Sequence, residues 1–169
     1  SHTSGNGRNT AVGAYAGQNV TTAMENTAMG WYALSSVTTG SENTGLGRNA
    51  GKSITTTEAS TAVGFNALEN NTAAQITACG HSALRANTTG TGNVAVGYQA
   101  GTTNTTGAQY TFIGYQAGYQ QSGAAAGSTG VGYQALYAAG GPQRNTAVGQ
   151  QALHATTNYG DNNTGVGYR

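Results

Sequence analysis

The chain is expected to be all-β, a parallel β-roll or β-solenoid with one coil of about 17 residues per repeat. Three observations lead there. A short motif recurs along the whole chain, its residue types favour strands and turns, and its apolar content is too low for an ordinary core.

The motif is Asn9-Thr10-Ala11-Val12-Gly13-Ala14-Tyr15-Ala16-Gly17. Its apolar-Gly step returns at Met29-Gly30, Leu46-Gly47, Val63-Gly64, Cys79-Gly80, Val96-Gly97, Ile113-Gly114, Val131-Gly132, Val148-Gly149 and Val166-Gly167. Successive glycines stand 17, 17, 17, 16, 17, 17, 18, 17 and 18 residues apart, so residues 9–169 read as ten tandem repeats behind a flank at 1–8. Three residues after each of the first nine glycines comes Ala, and the next residue is always Gly or Leu. This rule explains the stretch TGLGRNAGKS at 44–53 without a nucleotide. A phosphate-binding loop needs Gly five residues before Gly51, where Leu46 stands, and its dinucleotide-like spacing recurs at Gly130 to Ala135 from the repeat alone.

A unit this short cannot hold two packed helices, and Thr, Val, Tyr, Asn and Gly suit strands and turns. One coil per repeat pairs each strand in register with the next, about 4.8 Å away. The Val/Ile/Met/Leu/Cys column is then expected as the buried ladder with Ala beside it, and the following Gly as a bend where a Cβ would clash. The links Val20-Thr21-Thr22, Val37-Thr38-Thr39 and Ile54-Thr55-Thr56 suggest a second strand or turn per coil. An aligned Thr column also suits ice binding, but neighbours on a strand point to opposite faces and leave a single row. After Tyr119 the pattern lapses at 120–123 and 140–142, where the loops are expected to differ.

Charge supports the stacking. Lys52, Glu69 and Arg85 follow one another five residues after successive glycines and would alternate in sign. Arg8, Glu25 and Glu42 form a second column, with Glu58 one residue out of register.

Composition narrows the function. Val, Ile, Leu and Phe number 9, 3, 6 and 2 in 169 residues, a share typical of disorder. Yet the net charge is +1, only 7% of residues are charged, and one proline stands among 28 glycines. Near-neutrality removes the footprint of a nucleic-acid binder, and no apolar run is long enough to insert in a membrane. The start at Ser1-His2, with no Met or signal sequence, reads as an excised or processed piece. Cys79 is alone, so no intrachain disulfide forms, and in the ladder it reads as a small hydrophobe. Each coil offers one large apolar residue, one Ala and sometimes Leu. So thin a core points to several chains sharing an axis, with identical ladders face to face.

The sequence N-T-A-V-G-x-x-A-L, at Asn26 to Leu34 (with Met in the Val place) and Asn145 to Leu153, resembles the repeats of trimeric bacterial adhesin heads and bacteriophage tail fibres. The resemblance runs from about Asn9 onward, although the unit is longer than is usual in autotransporter heads. It implies a homotrimeric fibre segment, intertwined or side by side, that works in attachment at a bacterial cell surface or on a virion.

No catalytic group, cofactor or metal site is expected. Glu25 and Glu42 could approach the spacing of a retaining glycosidase, but nothing marks either as a desolvated acid, and a solvated column is the plainer reading. His2, His81 and His154 lie in different registers. Sequons such as Asn87-Thr88-Thr89 arise by chance in a chain this rich in Asn and Thr.

The informative column follows the repeat glycine: Ala14, Trp31, Arg48, Phe65, His81, Tyr98, Tyr115, Tyr133, Gln150 and Tyr168. Because Arg48 and Gln150 share it, the column cannot lie in a dry core. Rings flanked by amides such as Gln99 and Gln116 suit sugars, whose C–H faces cover ring faces while amides bond hydroxyls. Trp31, Phe65, His81, Tyr98, Tyr115 and Tyr133 are therefore the candidate contacts for surface glycans or another cell-envelope polymer. The competing role for the same rings is to seal the seam between chains. On function, a structural shaft and a polysaccharide-cleaving fibre stand as alternatives to attachment.

Overall fold

The computed structural model describes residues 8–121, 127–138, 144–155 and 162–169. Ser122, Gly123, Gly140-Gly141-Pro142, His2 and the flank before Arg8 fall outside these. Each repeat contributes one three-residue strand: β1 (Thr10–Val12), β2 (Thr27–Met29), β3 (Thr44–Leu46), β4 (Thr61–Val63), β5 (Thr77–Cys79), β6 (Val94–Val96), β7 (Thr111–Ile113), β8 (Thr129–Val131), β9 (Thr146–Val148) and β10 (Thr164–Val166). They form a single parallel sheet in sequence order, with like residues opposite like, as in Thr10–Thr27, Ala11–Ala28 and Val12–Met29. The protein is a β-solenoid, and the described residues contain no helix.

Side chains alternate across a strand, and here the middle residue points inward. The inner column is Ala11, Ala28, Gly45, Ala62, Ala78, Ala95, Phe112, Gly130, Ala147 and Gly165. The expected buried ladder therefore turns outward. Val12 is 54% exposed, Met29 48%, Ile113 40% and Val148 39%, and Cys79 is only half-buried in the same column. The physical reason is the period of two, which sends Ala and Val to opposite faces. The Gly bend then leads the chain round on the Ala side.

That bend has the predicted cause. Gly13, Gly30, Gly47 and Gly64 have φ between 123 and 133°, and a Cβ on Gly30 would lie 2.6 Å from the Gly47 carbonyl oxygen. Each glycine thus rests on the backbone of the glycine one coil on. The residue two places later is left-handed in every coil, from Tyr15 (φ 61°) to Gln151 (φ 57°). It closes a type II turn, with Ala50 N–H donating to the Gly47 carbonyl at 3.2 Å. The Gly-or-Leu position is left-handed too: Leu34 (φ 47°), Leu68 (φ 50°), Gly51 (φ 61°) and Gly101 (φ 60°). Gly suits that backbone, whereas Leu fills the interior. The two are distributed by packing. A Cβ on Gly51 would meet Leu34 at 2.7 Å, and one on Gly118 would meet the Phe112 ring at 2.5 Å.

Amides supply the rest of the core. The column that opens the motif (Asn9, Asn26, Asn43, Ser60, Ile76, Asn93, Tyr110, Ser128, Asn145) is interior beyond its first coil. Asn26 Oδ1 accepts from Asn43 N–H at 2.9 Å, while its Nδ2 donates to the Gly40 carbonyl at 3.0 Å. A second column runs Val37, Ile54, Asn71, Asn87, Asn104, switching from apolar to amide partway. Asn87 Nδ2 donates to Asn71 Oδ1 at 2.8 Å, and Asn104 Nδ2 to Asn87 Oδ1 at 3.0 Å. The Asn of the Asn87 sequon is wholly interior and unavailable to a glycosyl group.

Of the second strand or turn expected in each coil, the described residues have no strand and a bend at the Thr pairs. The Thr pairs form a bend in which both residues are exposed at Thr21-Thr22, Thr55-Thr56 and Thr105-Thr106, while Thr38 and Thr88 are half-buried beside exposed Thr39 and Thr89. The first Thr of three pairs, Thr21, Thr38 and Thr88, bonds up the stack, as when Thr88 Oγ1 donates to the Thr105 carbonyl at 3.0 Å.

Gly64→Ala adds a clash to an unfavourable φ and should cost at least about 3 kcal/mol in urea denaturation. Gly167→Ala, with φ 126° but nothing within 4 Å, should cost about half as much. Burial pushes the Tyr110 phenol up from 10.0 to about 12. The neutral phenol is favoured in the fold, so its contribution is complete below the unfolded pKa and is lost as pH rises through the folded one. Between pH 10.0 and about 12 the protein should lose about 2–3 kcal/mol relative to Tyr110→Phe, read from urea midpoints.

Candidate functional site

In-register coils place each ring over the next. Phe65–His81, His81–Tyr98, Tyr98–Tyr115 and Tyr115–Tyr133 stack with centroids 4.9, 5.0, 5.2 and 5.3 Å apart and planes within 23°. Arg48 completes the series, because its guanidinium is planar. Its Cζ lies 4.7 Å from the Trp31 ring centroid and 5.3 Å from that of Phe65. All six candidate residues therefore belong to one strip of seven planar groups.

The strip is half-exposed, as its mixed composition requires: Trp31 is 43% accessible and Tyr133 45%. What it presents differs from the expectation. Phe65, His81, Tyr98 and Tyr115 have both faces covered by column neighbours, leaving edges and hydroxyls to solvent. Trp31 has Arg48 on one face and Tyr32 against it at 4.4 Å and 89°. Tyr133 has a ring neighbour in the column, Tyr115, on one side only among the described residues.

An amide ladder runs beside the rings, on the left-handed residues of the turn. Gln116 Nε2 donates to Gln99 Oε1 at 2.9 Å, Gln134 to Gln116 at 3.0 Å and Gln151 to Gln134 at 3.3 Å. In the first coils the same positions hold Tyr15 and Tyr32, stacked at 4.6 Å.

A second ring stack escaped the sequence reading. Tyr119, Tyr137 and His154 stack at 5.2 and 5.0 Å. They continue the column of Lys52, Glu69 and Arg85, and following that column past Arg85 would have found them. Of its expected charge alternation, Glu69–Arg85 forms at 2.8 Å, while Lys52 Nζ lies 5.6 Å from the Tyr32 ring centroid instead. Arg8 pairs with Glu25, whose side chain is 46% exposed, so that carboxylate is solvated and neutralised.

Among the described residues, no group of three or more His, Cys, Asp or Glu could hold a metal, and no helix is long and apolar enough to cross a membrane. The site and fold define a parallel β-solenoid with an external aromatic strip. No family model, curated protein or solved structure matches the chain.

Each stacked pair contributes about 0.5–1.5 kcal/mol beyond burial, and Tyr115 makes two. Tyr115→Ala should therefore lower stability by about 1–3 kcal/mol, with Tyr115→Phe close to neutral in the same thermal melts.

Proposed function

We propose that the solenoid is a segment of a homotrimeric surface fibre, bacterial or viral, that attaches to glycans or another envelope polymer of a target cell. The reading is carried by the outer surface of the sheet. Parallel sheets are as a rule covered on both faces, and here the interior covers only one. The other carries the half-exposed column Val12, Met29, Val96, Ile113 and Val148. Two further copies related by cyclic symmetry would cover it with the same column. The aromatic strip, with its ring edges, the phenol hydroxyls of Tyr98, Tyr115 and Tyr133 and the amide ladder from Gln99 to Gln151 beside them, offers a linear polymer similar contacts over several successive coils.

A structural shaft is the second reading, and the mutual covering of ring faces favours it. A ring that spends both faces on its neighbours contributes to stiffness first.

Light scattering should return about three times the 16.9 kDa chain mass. Val96→Asp should yield folded single chains, since Val96 is 37% exposed within one chain and its charge is unfavourable only where copies meet. A folded wild-type monomer at micromolar concentration would overturn the trimer. Glycan-array binding by the assembled fibre supports attachment, and silence across the array supports the shaft.

A further inference from the structure

Over three successive coils the ring column is all tyrosine. Tyr98 and Tyr115 stack with centroids 5.2 Å apart and planes 9° from parallel, and Tyr115 and Tyr133 with 5.3 Å and 8°. The three are 42, 43 and 45% exposed, so a reagent in solvent reaches them although neighbours cover ring faces. On one side the column continues with His81 and Phe65, and past Tyr133 the next coil carries Gln150. A phenol gives up an electron more readily than an imidazole, a phenyl ring or an amide. An oxidised ring in this column therefore stays among the three tyrosines. Tyr15 and Tyr32 also stack, but Trp31 lies against Tyr32 at 4.4 Å and competes for the oxidation.

Such a stack meets the needs of phenol coupling. A one-electron oxidant takes an electron from a phenol, whose hydroxyl proton passes to water. The phenoxyl radical left behind carries spin on Cε1 and Cε2, the ring carbons beside the oxygen. Two radicals on successive coils join through one of these carbons each. Each joined carbon then releases its hydrogen as a proton while its oxygen takes one up, which restores two phenols. The balance is one C–C bond formed, two C–H bonds broken, and two electrons and two protons removed. One hydrogen peroxide consumes these in becoming two waters. The rings must turn from face-to-face to edge-to-edge for the carbons to meet, and the tyrosine χ2 torsion is broad enough to let them. In-register coils hold the two residues about 4.8 Å apart meanwhile. That proximity makes the adjacent ring, and not another molecule, the partner of each radical.

We propose that Tyr98, Tyr115 and Tyr133 form an oxidative modification site, at which a peroxidase-class oxidant with hydrogen peroxide joins Tyr115 to Tyr98 or to Tyr133 as dityrosine. The product is a covalent staple between successive coils. It gives the repeated phenols a use that does not depend on glycan binding.

The test treats the whole folded protein with a haem peroxidase and equimolar hydrogen peroxide. Dityrosine fluorescence, chain mass on a denaturing gel and mass spectrometry of cross-linked peptides are then read. A Tyr98–Tyr115 or Tyr115–Tyr133 link is expected, in a product that keeps the single-chain mass of 16.9 kDa. In the urea-unfolded chain the yield of these links should fall at least about tenfold. Tyr115→Phe keeps a ring in the stack but removes the middle phenol, so both links should vanish. The same variant should still couple Tyr119 to Tyr137, whose rings stack at 5.2 Å and 7° in a separate column. No dityrosine in the folded protein, links that mainly join separate chains, or an equal yield after unfolding would overturn the site. Undiminished coupling of Tyr98 and Tyr133 in Tyr115→Phe would overturn it as well.

Discussion

Every coil of this protein sits on a copy of itself, and the contact that enforces it is glycine on glycine. A Cβ on Gly47 would stand 2.7 Å from the Gly64 carbonyl oxygen, so no other residue lets the two backbones approach. Once that contact sets the register, each side chain has its own kind as axial neighbour. Rings meet rings, Gln meets Gln, and Asn meets Asn. Like charges would meet as well, which explains why a stack of ten strands tolerates so few and pairs Glu69 with Arg85.

The same constraint accounts for a core that composition alone would call inadequate. The interior is narrow, so Ala and Gly line the strand, and large residues enter only where a neighbouring coil gives way. Phe112 takes the inner-column place of Ala between Gly101 and Gly118. Elsewhere the space is filled by amides, which in most interiors would be costly. Here each Asn repeats at the interval that lets it bond the next Asn and a backbone group, so its polar atoms are largely satisfied without water.

Much of this was legible. The glycine spacing gave coil length, strand position and parallel register, and the mixture of Trp31, Arg48 and Tyr98 in one column announced partial exposure. The inward direction was misread because Val outranks Ala in hydrophobicity, while the decision lay in how the chain bends after the strand. The left-handed residues were hidden for a related reason. Gly or Asn announces that conformation, but Leu34 and Gln99 adopt it under tertiary control. Leu34 N–H bonds the Ala50 carbonyl one coil onward at 3.0 Å, and Gln99 N–H bonds the His81 carbonyl one coil back at 2.8 Å. The covered ring faces follow from a coil spacing close to the distance at which rings stack. That comparison needs no coordinates, only the two lengths side by side.

The hydrogen bonds between coils run along the stack, and this decides how the protein meets tension. A load pulling the two ends apart bears directly on the terminal coil and reaches the remainder only through it. Coils therefore peel in sequence from an end instead of yielding together in shear. Each one that lets go replaces a rise of about 4.8 Å by about 17 residues of free chain, roughly 60 Å at full extension. A stack built this way is a reel: it gives out length in equal instalments, and the coils still wound keep their shape.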